Sequence, residues 1–253
     1  MDHVGVLEVF DGQMRRGAGQ VAPEGVVRKA EPGVQGWTGV VWSDLHEDSA
    51  DRAIAVQLEW LASPEGTGRE FEWKLYSHDR PADLSERLTA AGFTAEPPET
   101  LMVTEIAGMP KDIPLPAGVR FEAVTDAAGI DLLAEVNEQA FGASSSHFRE
   151  RLLAQLGSDD LHMTVVMAGD QPVCGARLEF HPGTQFASLW GGGTVKEWRG
   201  RGIYRALVAH RARIAADRGC RYLQVDASEQ SRPILERLGF TALSVTTPYL
   251  IQG

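Results

Sequence analysis

The residues of this chain whose types and spacing could do chemistry lie close together. They are Thr194-Val195-Lys196-Glu197-Trp198-Arg199-Gly200-Arg201-Gly202-Ile203-Tyr204-Arg205-Ala206-Leu207. A strand pattern ends near Val195, a loop with two glycines and two arginines follows, and a helical pattern begins at Ile203. The first turn of a helix carries N–H groups without intrahelical acceptors and a partial positive charge. Glycines let the backbone wrap closely around an anion, so this loop and helix start form a cradle for a pyrophosphate. Arg199 and Arg201 add charge at its edge. Two other phosphate-binding readings fail. No G-x-G-x-x-G with a ribose-binding acid follows the first strand, and no Gly-Lys-Ser/Thr follows the glycines.

The other reactive side chains are scattered. Cys174 and Cys220 are the only cysteines, too few for a disulfide framework or a metal cluster, and both read as small buried hydrophobes. No metal site is expected. His181 and His210 stand without visible partners, and Glu135 and Glu138 read as a solvated helix face.

The bulk numbers bound the function class. The 253 residues suffice for one large domain or two ordinary ones, with 43% hydrophobic and 23% charged residues as in globular proteins. A formal charge of -11 argues against nucleic acid, whose phosphates need a basic face, and would suit a cationic amine. No apolar run approaches the roughly 18 residues of a membrane helix, and Met1-Asp2-His3-Val4 lacks the features of a signal peptide. A cytoplasmic protein with no membrane partner is expected.

The cradle needs elements to hold it. Val119 to Val124 alternates as a strand, and Thr125-Asp126 caps a helix with Ile130, Leu133, Val136 and Ala140 at helical spacing. Ser144 to Leu156 is predicted as a second helix. His162 to Ala168 and Val173 to Phe180 read as strands joined by Gly169-Asp170-Gln171-Pro172. Phe186 to Val195 is a further strand, in which Gly191 to Gly193 mark a bulge or a close backbone approach. A helix from Ile203 to Arg218, with Leu207, His210 and Ile214 on one side, stops at Gly219. Tyr222 to Val225, Ser231 to Leu238 and Leu243 to Ile251 complete the pattern as strand, helix and strand.

Pro110, Pro114 and Pro116 place a linker at residues 111–118, between domains at 1–110 and 119–253. In the first, Val34 to Val41 and Phe71 to Tyr76 read as strands around a helix at Ala50 to Leu61. Gly92-Phe93-Thr94-Ala95 recurs as Gly239-Phe240-Thr241-Ala242, each behind a strand and a short helix, which argues for duplication of one α/β unit. Where the second copy has its cradle, the first has Ser43-Asp44-Leu45-His46-Glu47-Asp48, whose acids would repel a pyrophosphate. Trp37, Trp42, Trp60 and Trp73 are expected to pack its core.

Taken together, the glycine-bearing strand, the Arg-Gly-Arg-Gly loop, the helix and the later Leu-Glu-Arg-Leu-Gly-Phe ending resemble the GNAT superfamily of N-acetyltransferases. The resemblance runs from about Val119 onward. It implies an α/β (α+β) GNAT fold, a mixed central sheet flanked by helices, arranged as a tandem of a degenerate first unit and an intact second one. It further implies a V-shaped cleft between splayed strands, acetyl-CoA as acyl donor and no metal. The backbone of Thr194 and Val195 would pair with the pantetheine arm, and Gly200, Arg201, Gly202, Ile203 and Tyr204 would bind the pyrophosphate, with Arg199 beside them. A primary amine, carried by a small-molecule acceptor, would attack the thioester directly.

Three features depart from the family pattern. The motif Q/R-x-x-G-x-G/A ends here on Tyr204, the tyrosine often found four residues before the Gly-Phe pair is Leu235, and the asparagine often found just after the preceding strand is absent, Ser228 and Glu229 being nearest. The catalytic groups are therefore unassigned, with Glu179 as a candidate proton relay and Tyr249 as a candidate acid. Activity competes with a non-catalytic acyl-CoA-binding or sensing role. The acceptor, the acyl length and the assembly state, a homodimer among the options, stay open.

Overall fold

The computed structural model describes residues 2–30, 37–110, 112–142 and 146–252. The chain opens with helix α1 (His3–Phe10), which the sequence reading did not anticipate. It widens to a π turn at Asp11–Arg15 and a 3-10 turn at Arg16–Ala18. There follow β1 (Val26–Ala30), β2 (Thr38–Ser43), α2 (Ala50–Leu61), β3 (Glu70–Tyr76), α3 (Leu84–Ala90), β4 (Thr94–Ala95) and β5 (Glu99–Glu105). The later elements are β6 (Val119–Ala123), α4 (Ala127–Phe141), α5 (Ser146–Ala154), β7 (Leu161–Ala168), β8 (Gln171–Phe180) and β9 (Phe186–Thr194). Then come α6 (Ile203–Asp217), β10 (Tyr222–Ala227), α7 (Arg232–Glu236) and β11 (Thr241–Gln252). This is the mixed α/β architecture expected. Residues 34–36 of the first expected strand, 144–145 of the second expected helix and Lys111 of the linker lie outside the described residues.

The chain divides into two compact units. The first comprises residues up to Met102, Asp226–Arg232 and residues from Ala242 onward; the second comprises Val103–Val225 and Pro233–Thr241. The cut therefore falls at Met102 rather than in the proline-rich stretch, and most of β11 counts with the first unit instead of with 119–253. The reason is pairing. From Thr246↔Tyr76 to Gln252↔Glu70, β11 runs antiparallel along β3, which an assignment by sequence proximity could not foresee.

In the first unit, β1 pairs antiparallel with β2, and β2 pairs parallel with β3 only at Gly39↔Glu72 and Val40↔Trp73. Its core gathers Val26, Val40, Ile54, Leu61, Phe71, Trp73, Leu88, Phe93 and Tyr249. Helix α2 supplies Ala50, Ala53, Ile54, Gln57 and Leu61, buried at the spacing of one helical face. Trp73 is fully buried and Trp60 packs at the rim, whereas Trp37 and Trp42 are half-buried outside this cluster, Trp37 donating to Glu72 Oε2 and Trp42 lying under the Arg16 guanidinium.

In the second unit the strand order is β10-β9-β8-β7-β6. All neighbours are antiparallel except β10 and β9. Asp126 caps α4 by accepting a hydrogen bond from Gly129 N at 2.8 Å. Ile130, Leu133 and Val136 of α4 pack on Val165 and Met167 of β7 together with Leu152 of α5. On another cluster, Ile203 and Leu207 of α6 meet Val166 of β7 and Val173, Cys174 and Ala176 of β8. Helix α6 is buried more widely than the expected Leu207–His210–Ile214 stripe, since Ala206, Val208, Ala209, Arg211, Ala212 and Ala215 are buried as well.

The internal repeat holds in three dimensions. Gly92 and Gly239 follow their helices at φ +97° and +92°. Phe93 N donates to Leu88 O and Phe240 N to Leu235 O, both at 3.1 Å. Each unit also contains a parallel strand pair that stays together over a few residues and then parts, namely β2/β3 and β9/β10.

Candidate active site

Strands β9 and β10 pair at Phe186↔Tyr222, Ala187↔Leu223 and Ser188↔Gln224, and no farther. Beyond that level no pairing of β9 with β10 is seen among the described residues, and β9 runs on to Thr194. The loop from Val195 then turns through Gly200 and Gly202, at φ +77° and +81°, into α6. Side chains rarely adopt this left-handed conformation, so glycine is the natural residue at both. A Cβ at either position would meet nothing within 4 Å, so neither glycine is required by a close neighbour.

The first hydrogen bond of α6 runs from Ala206 N to Gly202 O. Among the described residues, no acceptor meets the N–H groups of Gly200, Arg201, Gly202, Ile203, Tyr204 or Arg205. Six adjacent main-chain donors at the positive end of a fifteen-residue helix fit a diphosphate well.

The flanking residues expected at this site divide. Arg199 donates from Nε to Thr194 O at 3.0 Å and from Nη2 to Ala140 O at 3.1 Å, tying the end of β9 to the end of α4. Arg201 lies over the Trp198 ring and donates to Glu197 O. Both arginines thus brace the loop rather than stand free at its edge. Val195 donates to Val173 O and accepts from Trp198 N, so neither of its main-chain groups is left for an added strand. The Thr194 hydroxyl sits 3.1 Å from Cys174 Sγ.

Tyr204, where the expected pattern has glycine or alanine, turns its ring inward. A Cβ placed at Gly192 would lie 2.8 Å from Tyr204 Cε2, and one at Gly193 would lie 2.8 Å from Ala140 Cβ and Phe141 Cε2. The glycines of β9 therefore admit two close neighbours, Tyr204 on one side and the end of α4 on the other. The strand takes a bulge at this point, with Gly175↔Gly193 followed by Arg177↔Trp190. Behind Tyr204 lies Arg211, 1% exposed, which donates to Arg177 O at 2.9 Å and to Leu207 O. Burial raises the Tyr204 phenol and lowers the Arg211 guanidinium from their ordinary pKa values.

Residues 130–240 match the model described as the acetyltransferase (GNAT) family. That segment is a GNAT domain.

Solved structures extend the likeness of fold beyond the GNAT domain. A GCN5-related N-acetyltransferase from Kribbella flavida superposes with a TM-score of 0.68 at 17% identity, covering 99% of this chain and 94% of that one. A conserved protein of unknown function from Staphylococcus epidermidis gives 0.71 at 15% identity, with 96% and 97% covered. A tandem GNAT protein from the clavulanic acid biosynthesis pathway gives 0.58 at 11% identity, with 90% and 78% covered. No curated protein matches the chain.

Within the GNAT domain, Leu235 is fully buried and its carbonyl accepts from Phe240, so that position is core and offers no proton. Glu179 lies opposite Ser188 across the β8/β9 pair, and Ser188 lies opposite Gln224. Cross-strand partners share a face, so these three form a polar row at the level where β9 and β10 part. Ser188 Oγ accepts from Gln224 Nε2 at 2.5 Å and lies 2.6 Å from His181 Nε2. The sequence reading missed Ser188 and Gln224; the available signal was a polar residue inside each of two otherwise apolar strands. Tyr249, the other candidate, belongs to the first unit, opposite Trp73 in its core.

The corresponding place in the first unit is filled by the protein itself. Beyond Val40↔Trp73, where β2 and β3 part, Arg15 donates from Nε to Val41 O at 3.0 Å. Its guanidinium lies 4.0 Å from the Tyr76 ring centroid and grips Asp79 with bonds of 2.6 and 2.8 Å. At the start of α2, Ser49 N and Ala50 N both donate to His46 O, and His46 N donates to Ser49 Oγ. In this unit an arginine occupies the splay, and the loop into α2 is the acidic one noted in the sequence. Among the described residues no cluster could hold a metal ion, and no helix is long and apolar enough to cross a membrane.

Proposed function

We propose that the protein is a cytoplasmic N-acyltransferase that moves an acetyl group from acetyl-CoA to a primary amine of a small-molecule acceptor. The observation that carries this is the run of six unaccepted main-chain N–H groups at Gly200 to Arg205, at the mouth of α6 and beside the edge of β9 freed by the splay. These donors would hold the pyrophosphate of the cofactor, and the helix dipole adds to the attraction. When bound, the cofactor supplies an activated thioester. The free edge of β9 would carry the pantetheine arm, without a contribution from Val195.

The chain's own tasks are to orient the amine and to take its proton. Glu179, in the row with Ser188 and Gln224, would relay that proton; its position opposite Ser188, near the end of the β9/β10 pairing, supports the reading. A non-catalytic acyl-CoA sensor is the second reading, favoured by the buried Leu235. Calorimetry with CoA and acetyl-CoA, then thiol release over a panel of polyamines, aminoglycosides, amino acids and peptides, separates the two. Tight CoA binding with no turnover selects the sensor, and undetectable CoA binding overturns both.

A further inference from the structure

The first unit holds a second constellation of chemical groups, apart from its apolar core. Asp11 starts the π turn, Ser77 and His78 follow the end of β3, and Ser244 lies on β11; all four belong to that unit. His78 Nε2 lies 2.9 Å from Asp11 Oδ2, and His78 Nδ1 lies 2.8 Å from Ser244 Oγ. Ser244 Oγ is 3.1 Å from Ser77 Oγ, which accepts from Val245 N at 3.2 Å.

One set of proton positions satisfies these contacts. Burial alone would raise the Asp11 carboxyl, but the His78 bond and the Arg15 charge bring it below its ordinary value, so it only accepts. Nε2 therefore carries the imidazole hydrogen, and Nδ1 is a bare acceptor to which Ser244 donates. Ser244 Oγ in turn accepts from the Ser77 hydroxyl. Arg15 Nη1, 3.1 Å from Nε2, donates instead to Asp11 Oδ1 at 2.9 Å and fixes the carboxylate. The result is a directed chain from Ser77 through Ser244 and His78 to Asp11. A base oriented by a carboxylate is the arrangement that makes a serine hydroxyl nucleophilic.

The chain ends at an opening. Ser77 is exposed, and with His78 it lines a cavity of about 420 Å³ whose wall also includes Pro81, Leu84, Val245 and Tyr249. Ser244 is 9% exposed, so Ser77 is the accessible hydroxyl. His78 and Arg80 line the same cavity, and among the described residues neither main-chain N–H has an acceptor. A network serving only to tie β3 to β11 would need neither the exposed hydroxyl nor the cavity.

We propose that the first unit hydrolyses small carboxylic esters, with Ser77 as the nucleophile. Ser77 Oγ adds to the ester carbonyl carbon while its proton passes to Ser244 and the Ser244 proton to His78 Nδ1, leaving an imidazolium held by Asp11. The N–H groups of His78 and Arg80 stabilise the oxyanion. The bond to the alcohol oxygen then breaks, and that oxygen leaves with the proton handed back through Ser244. Water attacks the acyl-serine by the same route, giving the free acid and restoring the hydroxyl. This activity does not depend on the acyltransferase reading of the second unit.

The test is p-nitrophenolate release from p-nitrophenyl acetate by the full chain, with peptide mass spectrometry after treatment with diisopropyl fluorophosphate. The intact protein turns over the ester and takes up a phosphoryl group on the peptide carrying Ser77. Ser77→Ala removes an exposed hydroxyl, keeps the thermal melt, and loses the label together with about a hundredfold in rate. Ser244→Ala, with the nucleophile in place, loses about the same factor because the relay is cut. Label mapping on the intact protein decides the nucleophile even where a variant fails to fold. No hydrolysis above buffer, an unchanged rate in Ser77→Ala or in Ser244→Ala, or a label on another residue overturns the inference.

Discussion

Tyr204 and Gly192 form a size-complementary pair, and the fit can be measured. In Gly192→Ala the new Cβ would lie 2.8 Å from Tyr204 Cε2 and 3.5 Å from both the Tyr204 hydroxyl and Arg211 Nη2. Carbon atoms rest at about 3.5–4.0 Å, so the ring would have to retreat by roughly 1 Å. Its way back is blocked by a buried guanidinium held to two carbonyls. Overpacking of this kind costs about 1–3 kcal/mol, and for a chain of this size each kcal/mol lowers Tm by about 3 °C. Tyr204→Ala alone opens a cavity and should cost about 3 kcal/mol. In the double variant the added methyl enters space the ring has left, so Gly192→Ala should cost almost nothing on that background. The expected coupling is therefore about 1–3 kcal/mol, read from urea melts of the four proteins as a double-mutant cycle. Costs that simply add, within about 0.5 kcal/mol, would refute the argument that the glycine exists to seat the tyrosine.

Three further outcomes are expected. Gly202→Glu sets a carboxylate beside the free amides and should weaken CoA binding by about two orders of magnitude, about 2.7 kcal/mol, whereas Gly202→Ala, where a Cβ meets nothing, should lose far less; equal effects would relocate the site. Arg15→Met leaves Asp79 buried without its bidentate partner and should destabilise the protein by about 3–5 kcal/mol, measurable by chemical denaturation. Burial first, then the charges of Arg213, His162 and Arg211, depress the His210 pKa to about 4 from 6.5. The unfolded chain then binds a proton that the folded one refuses between those values. Stability should fall as pH drops from 6.5 towards 4, and His210→Phe, which keeps the stacking on Phe121, should flatten that slope in a thermal-melt series.

Much of the fold was legible because local rules and tertiary demands agree in the second half. Asp126 announces a cap that forms, Gly169-Asp170 a turn that forms, and Gly219 a helix stop taken at φ +79°. The two-glycine loop with its free amides at the start of α6 was legible for the same reason, since it follows from chain order alone. The first half was harder to read, since α1 has neither a side-chain cap nor an acidic first turn to announce it.

The sequence by itself determined the element types of the second half, the duplicated Gly-Phe turn and the place of the glycine loop that opens α6, because each depends on residues within a helical turn or two of one another. Only the tertiary structure decided that β11 pairs with β3, that Arg15 closes the splay of the first unit, that Tyr204 folds onto Gly192, and that Lys74 meets Asp226. These partners lie from about a dozen to about 180 residues apart. What joins them is packing and charge compensation across a sheet, which no local pattern in the chain records.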